Sequence, residues 1–416
     1  MQSWFPEAKL GIFIHWGIYA VNGTTESWSF FNGETTYDEY FSQAPGFTAS
    51  QYDPEDWAAL FKASGAQYAV LTTKHHDGVA LWDTQAGAIS TVKSTPAGRD
   101  LITPYVEALR HHGLRVGFYF SHLDWSHPDY ASIGSDDPAA NRFAFRQGPT
   151  DDAGWERFLA FHRAQLKELC TQFGPVDLLW FDGDWERDAE TWRMKELRDQ
   201  LHAWQPNAVI NSRMQGYGDY ATPEQGMPVV PPEGPWEFCV THNDNWGWRF
   251  CDTNWKSPQY VLRMFLETIG MGGNLLFDIG PMEDGTIPSE SREALEFLGR
   301  WIKPHAEAVY GSRAGVPTNC FYGPSTRSQD GKTLYLFVFG DPRGHFGLRG
   351  IKGDIVSATL LDGTPLTWKR FGHSDWNPVP GAYEFALPEG KLDPEVTVVK
   401  IVFKEPFSVY QGPGRD

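Results

Sequence analysis

The chain has 416 residues, more than one average domain needs, and 41% of them are hydrophobic, enough to bury a sizeable core. A formal charge of -18 repels phosphate backbones and anionic headgroups, and no run of Lys and Arg overrides that field, which argues against nucleic acid or a membrane surface as partner. Four scattered cysteines (Cys170, Cys239, Cys251, Cys320) without CxxC spacing argue against a zinc module or a disulfide framework, while 18 Trp suit core, interface and sugar stacking alike.

The first residues, "MQSWFPEAKLGIF", lack a basic region followed by an apolar one, and no apolar run reaches the ~20 residues of a membrane span. A cytoplasmic location is the expectation, or secretion if a leader has been trimmed. Strand-like runs then alternate with amphipathic helices. "KLGIFIHWG" (9–17), "QYAVLTTK" (67–74), "LRVGFYFS" (114–121), "DLLWFDG" (177–183), "AVINSR" (208–213), "PWEFCVT" (235–241) and "NLLFDIGP" (274–281) are short, β-branched or aromatic, and bounded by turn signals. Between them, Asp53-Pro54 opens a helix that Gly65 closes. In 152–174 Trp155, Phe158, Leu159, Leu166, Leu169, Cys170 and Phe173 recur at three and four, one apolar stripe. A last helix starts at Ser289.

Such alternation implies parallel strands joined by right-handed crossovers. No glycine-rich dinucleotide fingerprint follows the first strand, so the α/β reading is a (β/α)8-like TIM barrel, with one strand missing or irregular in the count. After about Gly311 the texture becomes strand-turn-strand, "KTLYLFVFG" (332–340), "DIVSATLLDGT" (354–364), "YEFALP" (383–388) and "VTVVKIVF" (396–403), a small antiparallel β-sandwich. The expected division is a catalytic barrel over 1–313 and a C-terminal domain over 314–416.

In a barrel the loops after the strands' carboxyl ends form the reaction face. The first strand ends in His15-Trp16-Gly17, the second in Lys74-His75-His76-Asp77-Gly78, the third carries Tyr119 and Ser121 ahead of Asp124, the fourth stops on Asp182, and the fifth brings Asn211 and Arg213. Glu224, Glu237 and Trp246 follow. A carboxylate closing an apolar inner strand is thrust rigidly into the barrel mouth, and Gly183 lets the backbone turn away from a ligand. Asp182 is then a positioned nucleophile or, blandly, a surface cap of the next helix. Glycoside hydrolysis needs a second carboxylate, for which Glu224 and Glu237 both qualify. Adjacent residues on a strand point in opposite directions, so His75 and His76 face one spot only if the chain bulges. A metal bound by His15, His75, His76 and Asp182 is the rival reading, weakened by the lack of an HxH after the first strand.

Together "WFPEAKLGIFIHWGIYAV", "DPEDWAALFKASGAQYAVLTTKHHDGVALWDT", "GFYFSHLDW", "LLWFDGDW", "PWEFCVTHNDNWGW", "GGNLLFDIGPMEDGTIP" and "AVYG" give the chain a resemblance to the α-L-fucosidases of glycoside hydrolase family 29. The resemblance implies a barrel plus β-sandwich, no metal or other cofactor, and retaining double displacement on a terminal fucosyl residue of an oligosaccharide or glycoconjugate. It places the nucleophile on Asp182 with Trp180 beside it. His15, His75, His76, Tyr119, Arg213 and Trp246 match sugar-contacting positions. Glu26 resembles an N-terminal hydroxyl-binding Glu, although Ser27 separates it from Trp28. For the acid/base it selects Glu224 first and Glu237 second. Aglycone contacts are expected from loops such as 18–52, 122–150 and 214–234. A metal-dependent barrel hydrolase and a catalytically silent sugar-binding relative are the alternatives, and self-association stays open.

Overall fold

Seven short apolar strands pair into one sheet: β1 (Leu10–Ile14), β2 (Tyr68–Lys74), β3 (Arg115–Ser121), β4 (Leu178–Asp182), β5 (Val209–Ile210), β6 (Glu237–Thr241) and β7 (Asn274–Ile279). Their order is β5-β4-β3-β2-β1-β7-β6, and each neighbouring pair is parallel. This computed structural model describes residues 2–130 and 151–413 apart from positions 88 and 377; the part of the expected aglycone loop from 131 to 150 lies outside the described residues.

The gap between β5 and β6 is filled by 220–224, joined to its neighbours by single parallel bridges: Asn211 to Tyr220, Ala221 to Trp236, and Glu224 to Cys239. The strand missing from the sequence count is this irregular segment. Pro223 has no N–H to give a ladder, so regular pairing stops there; its carbonyl still accepts the Cys239 N–H at 3.1 Å. The ring of strands closes, and Glu224 sits on the closing segment.

Period-two alternation sorts the side chains into two layers. Along β4, Leu178 and Trp180 join Phe13, Val70, Tyr119 and Leu276 in an inner core. Leu179 and Phe181 face outward into the larger core shared with the helices. Asp182, two residues beyond Trp180, continues the inner row. The surrounding helices start where their caps place them. In Pro54–Ser64 the Asp53 side chain accepts the N–H groups of Glu55 and Asp56, and the helix ends on Gly65 at φ +96°. The 152–174 stripe becomes the buried face of Asp152–Gln172, and Ser289–Val309 completes the set.

Beyond it, a five-stranded sheet runs from Arg313–Ala314 at one edge to Ile355–Leu360 at the other, faced by a three-stranded sheet of His345–Arg349, Ala382–Ala386 and Thr367–Phe371. Leu334, Leu336, Leu348, Phe385 and Ile401 form their own core. The unit is tied to the last barrel helix: Trp301 Nε1 donates to the Val396 carbonyl at 3.2 Å and the Tyr335 hydroxyl to Glu307 at 2.8 Å. Among the described residues no helix is long and apolar enough to cross a membrane, and all four cysteines are free thiols.

Candidate active site

Asp182 stands at the floor of a pocket of about 210 Å³ at the carboxyl ends of the strands. Its Oδ1 accepts the Gly183 N–H at 3.0 Å and a hydrogen bond from Nη1 of Arg213; its Oδ2 accepts the Tyr119 hydroxyl at 3.0 Å. Burial works to raise the Asp182 pKa, but the Arg213 charge and the hydrogen bonds from Arg213 and Tyr119 outweigh it and hold the carboxyl below its ordinary value. Gly183 turns at φ +81°, which a side chain would strain, and a Cβ there would meet Leu123 at 2.4 Å.

The two histidines follow the end of β2 at Lys74, in a turn closed by the Gly78 N–H on the His75 carbonyl at 3.1 Å, so strand alternation no longer separates them. The β2–β3 register also shifts between Thr72 and Lys74; beyond it His75 lines the pocket while His76 places Nε2 3.7 Å from Asp182 Oδ2. Each ring is held from behind: His75 Nδ1 lies 2.6 Å from Ser27 Oγ, His76 Nδ1 2.6 Å from Ser121 Oγ, and His15 Nδ1 2.7 Å from Asp278 Oδ1. Burial lowers all three, His15 to about 3 and His76 to about 4, so neutral imidazoles surround the floor. Beneath them Lys74 and Asp124 form a buried pair at 3.2 Å.

Arg213 spans the site. Its guanidinium lies over the Trp180 ring at 4.7 Å and pairs through Nη1 with Asp182 and through Nη2 with Glu224. Its carbonyl is 3.2 Å from Nε2 of His122. The Glu224 side chain is 36% exposed against 12% for Asp182, so one carboxylate sits at the rim and the other at the floor, with a single guanidinium touching both.

Two expected residues sit elsewhere. Glu237, at the start of β6, is fully buried and does not line the pocket. Its Oε1 accepts Trp180 Nε1 at 3.0 Å, and Tyr68 donates to Oε2, so its carboxyl supports the underside of Trp180. Glu26 is likewise buried, and its Oε1 accepts the Gly247 N–H at 2.5 Å, securing the loop that carries Trp246 rather than facing the cavity. Trp28 does line the cavity, as do His15, Tyr119, Trp180, Arg213, Glu224 and Trp246. Trp246 stacks obliquely on His15 at 4.9 Å.

The lining also includes Phe13 and Trp185, which the sequence reading passed over. Phe13 is two residues before His15 and so shares its inward face; Trp185 belongs to the loop after β4, three residues past Asp182. Among the described residues, the one grouping of His, Cys, Asp or Glu whose ligand atoms approach closely enough to share a metal ion is Glu55, His111 and His112, on the outer helices, so the rival set of His15, His75, His76 and Asp182 does not converge.

The sequence of residues 1–307 matches the family model for alpha-L-fucosidase. Human tissue alpha-L-fucosidase is 31% identical over 342 residues, covering 75% of this chain and 70% of that protein. Alpha-L-fucosidase isoenzyme 1 from Paenibacillus thiaminolyticus superposes with a TM-score of 0.86 at 33% identity, covering 97% of this chain and 98% of that one. A family 29 alpha-L-fucosidase from Bacteroides thetaiotaomicron, solved as a trapped covalent intermediate with 2-fluoro-fucosyl fluoride, superposes with a TM-score of 0.83 at 27% identity over 95% of this chain and 94% of that one. With the matched region spanning every strand of the barrel and the pocket between them, the chain belongs to the alpha-L-fucosidase family, glycoside hydrolase family 29.

Proposed function

We propose that Asp182 is the nucleophile and Glu224 the acid/base of this retaining exo-α-L-fucosidase. The observation that carries the assignment is the arrangement of floor carboxylate, rim carboxylate and the one guanidinium that touches both. Retaining glycosidases set their two carboxyl groups ~5–5.5 Å apart, closer than the spacing that leaves room for an attacking water, and a shared guanidinium favours the shorter distance. In the first step an Asp182 oxygen forms a bond to C1 of fucose as the C1–O bond to the aglycone breaks, and Glu224 gives its proton to the departing oxygen. In the second step Glu224 takes a proton from water, the water oxygen bonds to C1, and the bond to Asp182 breaks.

The surroundings suit those roles. Arg213 and Tyr119 keep Asp182 ionised at neutral pH. Neutral His15 and His75 offer hydrogen bonds to sugar hydroxyls without a desolvated charge. The aromatic faces of Phe13, Trp180 and Trp246 suit the C–H surfaces and methyl of a deoxysugar. The volume, about 210 Å³, is below the ~300–1,000 Å³ of clefts for drug-sized ligands, so one terminal sugar fits and exo action follows. The substrate is a fucosylated oligosaccharide or glycoconjugate.

The test is the anomer first released from an aryl α-L-fucoside, followed by NMR before mutarotation. α-L-Fucose supports the reading; β-L-fucose, or turnover unaffected by Asp182→Ala, overturns it.

A further inference from the structure

Arg213 touches both carboxylates, so the placement of its backbone bears on the nucleophile and the acid/base together. We infer that His122 is a positioning residue for the reaction: it ties the backbone of Arg213 to that of Asp182, and His162 and Arg163 behind it fix which of its nitrogens does so. This rests on the assignment of Asp182 and Glu224 above.

The hydrogen bonds of this row run in one direction. A guanidinium donates and never accepts, and Arg163 Nη1 lies 2.8 Å from Nδ1 of His162, so that nitrogen receives the bond with its lone pair. Burial lowers both histidines, His122 to about 3, and each neutral ring carries a single N–H. The His162 hydrogen is therefore on Nε2, which donates to Nδ1 of His122 at 3.1 Å. That leaves the His122 hydrogen on Nε2, where it donates to the Arg213 carbonyl at 3.2 Å. The carbonyl can only accept, so counting from its end gives the same arrangement.

His122 follows β3 directly, and its backbone N–H donates to the Asp182 carbonyl at 2.8 Å. Any residue but proline could make that bond; the reach to Arg213 belongs to the imidazole. The ring is held for it, flat against Phe181 with centroids 4.7 Å apart and planes 7° from each other, and both histidines are fully buried. At the far end, on the helix Asp152–Gln172, Arg163 Nη2 donates to the Trp192 carbonyl at 2.6 Å, so the guanidinium that starts the row is itself anchored. An imidazole with its hydrogen on the other nitrogen would set a lone pair against the Arg213 carbonyl, two buried acceptors without a donor between them.

The experiment compares His122→Phe, which keeps a ring on Phe181 but no N–H, with His122→Gln, whose amide can still donate to Arg213 and accept from His162. On an aryl α-L-fucoside the Phe variant should lose ~2–30-fold in kcat/KM, the range for a residue acting through another. Its acid limb should also move to higher pH, because a displaced Arg213 no longer holds the Asp182 carboxyl down, with Tyr119 and His76 unchanged beside it. The Gln variant should recover both. A Phe variant with wild-type kinetics, a loss without movement of the acid limb, or a Gln variant as impaired as Phe overturns the positioning role. If the Phe variant fails to fold, nitrogen NMR of histidine-labelled wild type decides: hydrogens on Nε2 of His122 and His162 support the row, and a hydrogen on Nδ1 of either overturns it. Failure of the wild-type protein to hydrolyse the fucoside instead overturns the reading of the site on which the inference rests.

Discussion

His76 and Asp182 face each other acceptor to acceptor, Nε2 to Oδ2 at 3.7 Å. The direction follows from counting protons. Ser121 gives its hydroxyl hydrogen to the Leu123 carbonyl at 2.8 Å, so its oxygen receives the hydrogen on His76 Nδ1. Neutral imidazole carries one N–H, which leaves a bare lone pair on Nε2. That atom is buried with no partner among the described residues, and the prediction is that a hydroxyl of the bound sugar next to its anomeric carbon supplies the missing donor.

Ser121→Ala should therefore release the His76 tautomer. The expected loss in kcat/KM is ~10–100-fold, the ~1–3 kcal/mol of one buried polar group left unmatched. The deficit should shrink on a 2-deoxy substrate, which has no hydroxyl to offer. Because burial depresses His76 to about 4, the wild-type profile of kcat/KM should stay level as pH falls until about 4, then drop as a proton fills the acceptor. An undiminished deficit on the deoxy substrate would show that Ser121 merely packs.

Asp182→Ala should lose turnover by several orders of magnitude while keeping the fold, since the vacated space lies at an open pocket. Added azide should restore part of the rate, entering from the side the carboxylate held and yielding β-L-fucosyl azide. A product of α configuration would mean that Asp182 is not the attacking group.

The rim carboxylate has a different signature. Glu224→Ala should leave the first step intact for aryl fucosides with acidic leaving groups, which need no proton, and slow it severely for disaccharides. Azide should then give α-L-fucosyl azide, because attack occurs on the glycosyl-enzyme. Glu237→Gln should show no such dependence on the leaving group. If the two variants exchange these behaviours, the roles given to Glu224 and Glu237 are reversed.

What was legible in the chain was whatever depends on local pattern. The seven strands stand within a few residues of their expected positions because apolar alternation and turn residues mark them, although β5 shrinks to Val209–Ile210. The segment closing the ring was illegible because Pro223 interrupts the pattern that would have marked a strand. In the C-terminal unit, Thr367–Phe371 was missed because all five of its residues are exposed and no inner face marks it. At the site, strand-end position identified Asp182, but it could not tell a carboxylate at the rim from one beneath the floor. That distinction depends on long-range partners: Tyr68 and Trp180 draw Glu237 down, while Arg213 holds Glu224 at the surface. The turn after β2 that carries both histidines likewise follows from where pairing with β3 ends at Lys74, so only the structure shows where each ring goes.

Glu237 also predicts how stability responds to pH. Burial pushes its pKa up to about 7, against the pull of hydrogen bonds from Tyr68, Trp180 and Tyr220. The folded chain thus keeps a proton there that the unfolded chain releases near 4.5. The stability this contributes is fully present below the unfolded value and is lost as pH rises through the folded one. The interval corresponds to a loss on the order of 3 kcal/mol at alkaline pH. Glu237→Gln keeps a neutral group of similar shape, so its unfolding free energy should decline less between pH 5 and pH 8.5 than that of wild type, by up to that amount. Denaturant titrations of both proteins at the two pH values measure the difference, with Glu26 and every other titrating group common to both. Parallel declines would show that Glu237 is already ionised within the fold at pH 5.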